Sequence, residues 1–155
     1  MLMLLFSIGA NRYALAARDV IEVIPLVKFR SLPKAPPGVA GVFNYRGLVA
    51  PAVDMRRALE GVASQSLFST RILIVNAAKD GEPQPLGLIV ECASDAVDLP
   101  ENEAQSAGVS TSDAPYLKEI HHHDGEMVQR IDPFLLLPES VRNSLFRDIQ
   151  ENEVL

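Results

Sequence analysis

Tryptophan is absent from this chain and cysteine occurs once, at Cys92. A lone cysteine excludes an internal disulfide and suits a reducing compartment. With only six Phe and three Tyr besides, any core must be built mainly from Val, Ile, Leu and Ala. Basic residues are outnumbered, 14 against 20 acidic, and the net charge is −6. The basic patch that meets duplex phosphates is missing, so no nucleic acid is expected as a partner. No apolar run approaches the ~20 residues of a membrane helix. The opening MLMLLFSIGANRY lacks the basic n-region and clean cleavage site of a signal peptide and reads as a buried first strand. The expectation is a soluble cytoplasmic protein without membrane insertion.

Motifs of common chemistries are missing too. Neither GxGxxG nor GxxxxGK[ST] is present, so no phosphate-cradling loop is expected. There is no GxSxG elbow, and Ser64, Ser66 and Ser69 sit in a polar linker. Cys92 follows an apolar strand with no residue nearby to lower its pKa, and reads as a packed, inert thiol. The run HHHD, His121 to Asp124, is the one candidate metal site. In a strand, His121 and His123 share a face and His122 does not. No HExxH or CxxC spacing supports them. A polar hairpin end is the simpler reading, and a zinc enzyme built on His121, His123 and Asp124 is carried as the alternative. Neither a cofactor nor a resident metal is expected.

What is present is β. Hydrophobic residues make up 48% of 155, ample for the core of one domain. MLMLLFSIG is a strand and ANR a tight turn. YALAARDVIEVI is strand, turn, strand. Residues 25–41 hold four prolines and read as an ordered connecting loop. GVFNYRG and LVAPAVDM are strands meeting at Arg46-Gly47, with Pro51 suited to an edge or bulge. MRRALEG is a short helix capped by Asp54 and stopped by Gly61. TRILIVNAA and QPLGLIVECASDAVDLP flank a KDGEPQ hairpin. Residues 101–115 are a polar loop, open to ordering at an interface. YLKEIHHH and EMVQRID turn at Asp124-Gly125. The end is helical, entered at Pro133 and broken at Pro138, and the last five residues are expected to fray. About nine short strands and no βα alternation point to a barrel or sandwich.

Period-two alternation sets the faces. Val20, Glu22 and Ile24 share one face of their strand; Ile21 and Val23 take the other. Phe43 and Tyr45 oppose Asn44 and Arg46. An acid and an arginine within apolar strands need partners, and a Glu22–Arg46 ion pair is the simplest solution. Such a pair either locks two strands together or shapes a docking surface, since Arg on a half-apolar patch is a common interface anchor.

The order of these motifs resembles the CheW-like coupling domain of bacterial chemosensory systems, from about Leu4 to Leu137. The carriers are FSIG and YAL, then Val20 to Val23, then PPGVAGVFNYRGLVAPAVDMR, similar to the family's P…V.G..N.RG..VP.VDLR. ILIVN, LGLIVECASDAVDL and MVQRIDPFLLL complete the series. The resemblance implies a mainly β fold of two intertwined five-stranded SH3-like barrels sharing a core, with a few short helices. One such domain would span 1–137, and 138–155 would be a C-terminal helix and tail. It implies no catalysis. It implies an adaptor that couples the cytoplasmic tip of methyl-accepting chemoreceptors to the regulatory domain of a CheA-type histidine kinase, recruited to receptor arrays. Carried over by motif, Val20, Glu22, Val23 and Arg46 match the receptor-facing surface. Gly41, Asn44, Gly47, Pro51 and Asp54 match architectural positions. Exposed strand edges leave self-association open.

Three departures stand out. Tyr45 occupies a position where leucine is common. Lys118 or Glu119, followed by three histidines, stands where the family often has glycine. The N-terminus before the first strand is very short. They suggest a dedicated coupler of an alternative pathway, such as a surface-sensing system of the Wsp type. No length remains for an appended receiver domain, so the CheW–receiver fusion is not expected.

Overall fold

The computed structural model describes residues 1–78, 80–106 and 114–153. Among them are ten strands: β1 (Leu2–Ile8), β2 (Asn11–Ala16), β3 (Val20–Pro25), β4 (Val39–Tyr45), β5 (Leu48–Asp54), β6 (Arg71–Asn76), β7 (Pro85–Val90), β8 (Cys92–Asp98), β9 (Leu117–His123) and β10 (Glu126–Ile131). Two α-helices join them, α1 (Met55–Glu60) and α2 (Glu139–Glu153).

The strands form two five-stranded sheets, ordered β8-β1-β2-β10-β9 and β3-β6-β7-β5-β4. The chain opens in the first sheet, builds the whole second sheet, and returns to complete the first. The two units are therefore intertwined. Each contains one parallel pairing, β2 with β10 and β5 with β7; the other pairings are antiparallel.

Alternation along the strands divides the core into three. Leu73 and Val75 of β6, Leu86, Leu88 and Val90 of β7, and Phe6 and Ile8 of β1 meet in one cluster between the sheets. Their neighbours Ile72, Ile74 and Ile89 turn to a small cluster inside the second sheet with Phe43 and Tyr45. Met3 and Leu5 turn to a matching one inside the first with Ala14 and Val128. Strands buried on both faces read as continuous apolar runs, which explains MLMLLF, RILIV and LGLIV. Leu136, Leu137, Leu145 and Phe146 carry the chain's last turns and α2 onto the shared cluster.

The strand count exceeds the sequence expectation of about nine because QPLGLIVECASDAVDLP is two strands in different sheets. The break is a single residue, Glu91. It is 8% exposed, and its carboxylate accepts hydrogen bonds from the Gly9 N–H at 3.2 Å, Arg56 Nη1 at 3.0 Å and the Gln65 N–H at 3.1 Å. Gly9 lies in the β1–β2 turn of the first sheet. Arg56 and Gln65 belong to α1 and the segment after it, on the second. The first tight turn is likewise Gly9-Ala10, one residue earlier than ANR suggested, since Ile8 pairs with Asn11.

Other local expectations hold. Asp54 caps α1 through the Arg56 and Arg57 N–H groups at 3.1 and 3.3 Å, and Gly61 ends the helix in the left-handed conformation. Asp124-Gly125 makes a two-residue turn between His123 and Glu126 with both φ values positive. Pro133 opens a short 3-10 turn and α2 begins just after Pro138. Of the two settings expected for Pro51, a register shift does fall close by in β4, between Val39 and Gly41, whereas the edge is a correction, since β5 lies between β7 and β4. The strand tolerates it because registered pairs with β7 begin only at Ala52, so Pro51 has a ladder neighbour on one side alone. The expected fraying of the tail falls partly outside the described residues, with α2 continuing to Glu153. Residues 107–113 of the 101–115 loop lie outside them as well.

Removing the Glu91 carboxylate takes one of two acids from the half-buried Arg56 guanidinium and leaves two N–H groups without their acceptor. Glu91→Ala is expected to lower unfolding free energy by about 3 kcal/mol, read as a lower urea midpoint with an unchanged m-value.

Candidate functional site at the edges of the second sheet

β3 and β4 are the two edges of the second sheet. β3 is open because one face of it does not pack: Ile21 and Val23 are exposed, while Glu22 and Ile24 are half-buried and Ile24 meets the inner cluster. At the end of β4 the chain reverses through Arg46-Gly47, with Tyr45 paired to Leu48. Both turn residues have positive φ, 50° and 85°, the signature of a type I′ hairpin turn. The Asn44 side-chain oxygen accepts the Gly47 N–H at 2.8 Å and fastens the turn. Glycine suits this backbone. Arginine does not, because its Cβ resists the left-handed region.

Glu22 is what Arg46 reaches. Arg46 Nη2 lies 2.9 Å from Glu22 Oε2, and the Tyr45 hydroxyl donates to the same oxygen at 2.7 Å. The guanidinium also stands over the Tyr45 ring, 5.6 Å from its centroid, in cation–π geometry. Three side chains thus bridge two edges that share no strand pairing. The Tyr45 hydrogen bond, reinforced by the Arg46 guanidinium, holds Glu22 below the usual carboxylate range against the opposing push of burial. The bond to Glu22, then burial, raises the Tyr45 hydroxyl above its ordinary value. The Arg46 side chain remains 72% exposed.

The ion pair, the opposition of Glu22 and Ile24 to Ile21 and Val23, and the inward turn of Phe43 and Tyr45 match the sequence reading, but Val20 does not share the face of Glu22. The four residues Val20, Glu22, Val23 and Arg46 do not form one patch, however. A bulge falls between Val20 and Glu22, and Val20 packs half-buried against the shared core. Tyr45 was missed as a participant. Its signal was the departure itself, a hydroxyl where leucine is common. Gly41 proves architectural in a specific way: at φ 154° a Cβ would strike the Arg30 carbonyl. That carbonyl accepts the Val42 N–H at 2.8 Å, and Val42 returns the bond to the Arg30 N–H at 2.8 Å, so the proline-rich loop is stitched to β4 there.

The other departure also has a partner. Glu119 on β9 accepts from Arg130 Nε of β10 at 2.6 Å and lies 3.3 Å from His121 Nε2. Burial would raise its pKa, but the Arg130 bond and charge prevail and hold it at about 2. His121 is 2% exposed, whereas His123 sits 3.4 Å from the Asp124 carboxylate. Although His121 and His123 share a face, their nitrogens serve different acids. Among the described residues no three His, Cys, Asp or Glu side chains converge as metal ligands. Cys92, expected to be packed, is exposed, because β8 begins where the chain leaves the buried face at Glu91. Among the described residues no helix is long and apolar enough to cross a membrane.

This architecture places the protein in a known class. Residues 2–141 match the model of the CheW-like domain, and the chain belongs to that family. It is 28% identical over 148 residues to the chemotaxis protein CheW of Bacillus subtilis strain 168, covering 94% of this chain and 92% of that one. The chemotaxis protein CheW of Rhizobium meliloti strain 1021 is 24% identical over 141 residues, 90% of this chain and 88% of the relative. Among solved structures, the scaffolding protein TtCheW of Thermoanaerobacter tengcongensis superposes with a TM-score of 0.78 at 26% identity, covering 88% of this chain and 87% of that one.

Two outcomes follow from these geometries. Tyr45→Phe keeps the ring beneath Arg46 and removes the hydroxyl, so the Glu22 titration midpoint should rise toward the ordinary carboxylate range in a carboxyl-detected NMR titration. Glu119, with its folded pKa near 2, contributes stability that is complete above the ordinary carboxylate pKa and is lost as pH falls through about 2. The difference in thermal midpoint between the native protein and Glu119→Gln should therefore be largest at neutral pH and vanish in strong acid.

Proposed function

We propose that this chain is a non-catalytic adaptor that couples methyl-accepting chemoreceptors to a CheA-type histidine kinase in a chemosensory array. The observation that carries the reading is the Glu22–Tyr45–Arg46 bridge. It holds an exposed guanidinium in a backbone conformation arginine does not favour, paired to an edge strand whose other face exposes Ile21 and Val23. Strain of this kind persists where the surroundings over-determine it, and such places are commonly sites of function. In this reading the receptor tip docks on the β3 edge and the Arg46 turn. A separate face meets the kinase's homologous regulatory domain, and the chain joins the receptor array from the cytoplasm.

Coupling without chemistry needs two things. Each contact can be weak, because an array of linked sites multiplies weak contacts into avidity. The adaptor must also bind two receptor geometries with different free energies, or it transmits nothing. A rigid turn carrying one oriented charge is suited to that difference, since displacement of a partner carboxylate by an ångström changes a short ionic contact far more than it changes an apolar one. Family membership and the likeness to a scaffolding protein support the adaptor reading.

The test is calorimetric binding to a soluble receptor-tip fragment and, separately, to the kinase regulatory domain. Arg46→Asn is the informative variant because asparagine tolerates the left-handed turn. Receptor affinity is expected to fall about tenfold or more, with kinase binding and thermal midpoint little changed. Loss of kinase binding alone would move Arg46 to the kinase face. Unfolding would reduce the bridge to a strand lock.

A further inference from the structure

The three histidines of this chain are consecutive, His121 to His123 on β9. Histidine is the one side chain whose ordinary titration falls between pH 5 and 8. A side-chain response to pH in that range is therefore concentrated on one strand. β9 is an edge of the first sheet. Its ladder to β10 is interrupted by a register shift between Gln129 and Ile131, close to where Glu119 meets Arg130. On the outer side of β9, Gln105 pairs with Ile120, each N–H reaching the other's carbonyl at 2.8 and 2.7 Å. Side chains reinforce this edge where backbone pairing is interrupted.

His121 is the enclosed member of the three. It is 2% exposed and stands opposite Val128, which belongs to the inner cluster of Met3, Leu5 and Ala14. Its Nε2 lies 3.3 Å from Glu119 Oε1, the same oxygen that receives Arg130 Nε at 2.6 Å. Glu119 stays a carboxylate down to about pH 2, and a carboxylate only accepts. Neutral His121 therefore carries its hydrogen on Nε2, and Nδ1 is a bare lone pair. Nδ1 is buried and has no hydrogen-bond partner among the described residues.

A second proton changes that accounting. It places an N–H on Nδ1 where no acceptor stands, and a second cation on an oxygen that already compensates Arg130. The surrounding charges are engaged elsewhere. On β10 and β2, Glu126 pairs with Arg12 at 3.3 Å. Asp124, at the hairpin turn, lies 3.4 Å from His123. Asp19 and Asp132 act on Arg130. Met1, which packs on the same inner cluster, carries its amine to Asp98 at 2.9 Å. Lys118, next to Glu119 in the chain, adds a like charge. Opening a weakly laddered edge lets water reach the ring and removes the conflict.

We propose that β9 is a pH-sensitive edge, closed over neutral His121 and opened from β10 and Gln105 when His121 takes up a second proton. The open edge binds that proton and the closed edge does not, so falling pH populates the open form. Any contact made along this edge acquires a pH dependence. The Arg46 turn lies on the other sheet, so the device is independent of the receptor docking described above.

Amide exchange followed by NMR, with the intrinsic pH dependence of exchange divided out, tests it. An exposed histidine titrates at about 6.5, so β9 protection should fall about tenfold between pH 7.5 and 5.5, while protection in β6 holds. His121→Phe keeps a flat ring and the Glu119–Arg130 pair, and should abolish the fall. His122→Gln and His123→Gln should leave it unchanged. Long-range proton–nitrogen correlation on the native chain at pH 7.5 should show His121 protonated at Nε2 and bare at Nδ1. That readout needs no variant, so it decides even where His121→Phe fails to fold. A hydrogen on Nδ1 in that spectrum, β9 protection that is flat over this range, or a fall that survives His121→Phe would each overturn the proposal. So would a fall lost in His122→Gln or His123→Gln, which assigns the response to the hairpin tip, or one shared equally by β6, which marks global acid unfolding.

Discussion

One carboxylate sits where the two halves of this protein exchange the chain. Glu91 is the single residue between β7 and β8, and so between the second sheet and the first. A backbone that leaves one sheet for another in one residue has no ladder to satisfy the groups around it. The Glu91 side chain takes that place, accepting from the Gly9 turn on one side and from Arg56 and Gln65 on the other. Arg56 in turn spans Glu91 and Glu60, which fixes α1 against the junction. The shared apolar cluster has its shape because the sheets are held at this corner. The rigidity of the segment after α1 comes from the same acid.

The second sheet repeats the device at its open side. Its edge strands have no backbone partner for each other, and Glu22 bridges them by receiving Tyr45 and Arg46 on one oxygen. In both places a carboxylate joins parts that the hydrogen-bond ladders leave separate. The consequences differ with exposure. Glu91 is enclosed and serves the fold. Glu22 holds a guanidinium that still faces water, so the same chemistry becomes available to a partner. An exposed arginine that is already oriented would lose less freedom on docking than a free one.

The departures from the family pattern gain physical content. Tyr45 in place of leucine keeps an apolar ring in the inner cluster and adds a hydroxyl that reaches the edge. Glu119, in the stretch where the family often has glycine, forms an ion pair with Arg130 across the β9–β10 hairpin and meets His121 on the same oxygen. Both changes stiffen an edge of a sheet, one in each half of the molecule.

Much of this was legible beforehand because it is local. Alternation named the faces of β3 and β4, the Asp-Gly dipeptide named its hairpin, Asp54 stood where a helix cap belongs, and the motif order carried the family. Those signals depend on neighbours within a few residues. The Glu22–Arg46 pair could be inferred because two charges in apolar strands need each other. Other features depend on distance in space. Nothing within LGLIVECASDA marks Glu91 as the crossing between sheets, since both strands look alike until their partners are known. Pro51 looked like an edge residue because a sequence does not reveal where a parallel neighbour starts its ladder. The role of Tyr45, the separation of Val20 from Glu22 by a bulge, and the exposure of Cys92 all follow from register. By itself the sequence determined the elements, their faces and the family, because those follow from side-chain spacing along one strand. Only the tertiary structure decided which edges meet and which charges bridge them, because strand partners far apart in the chain are chosen by the packing of the whole core.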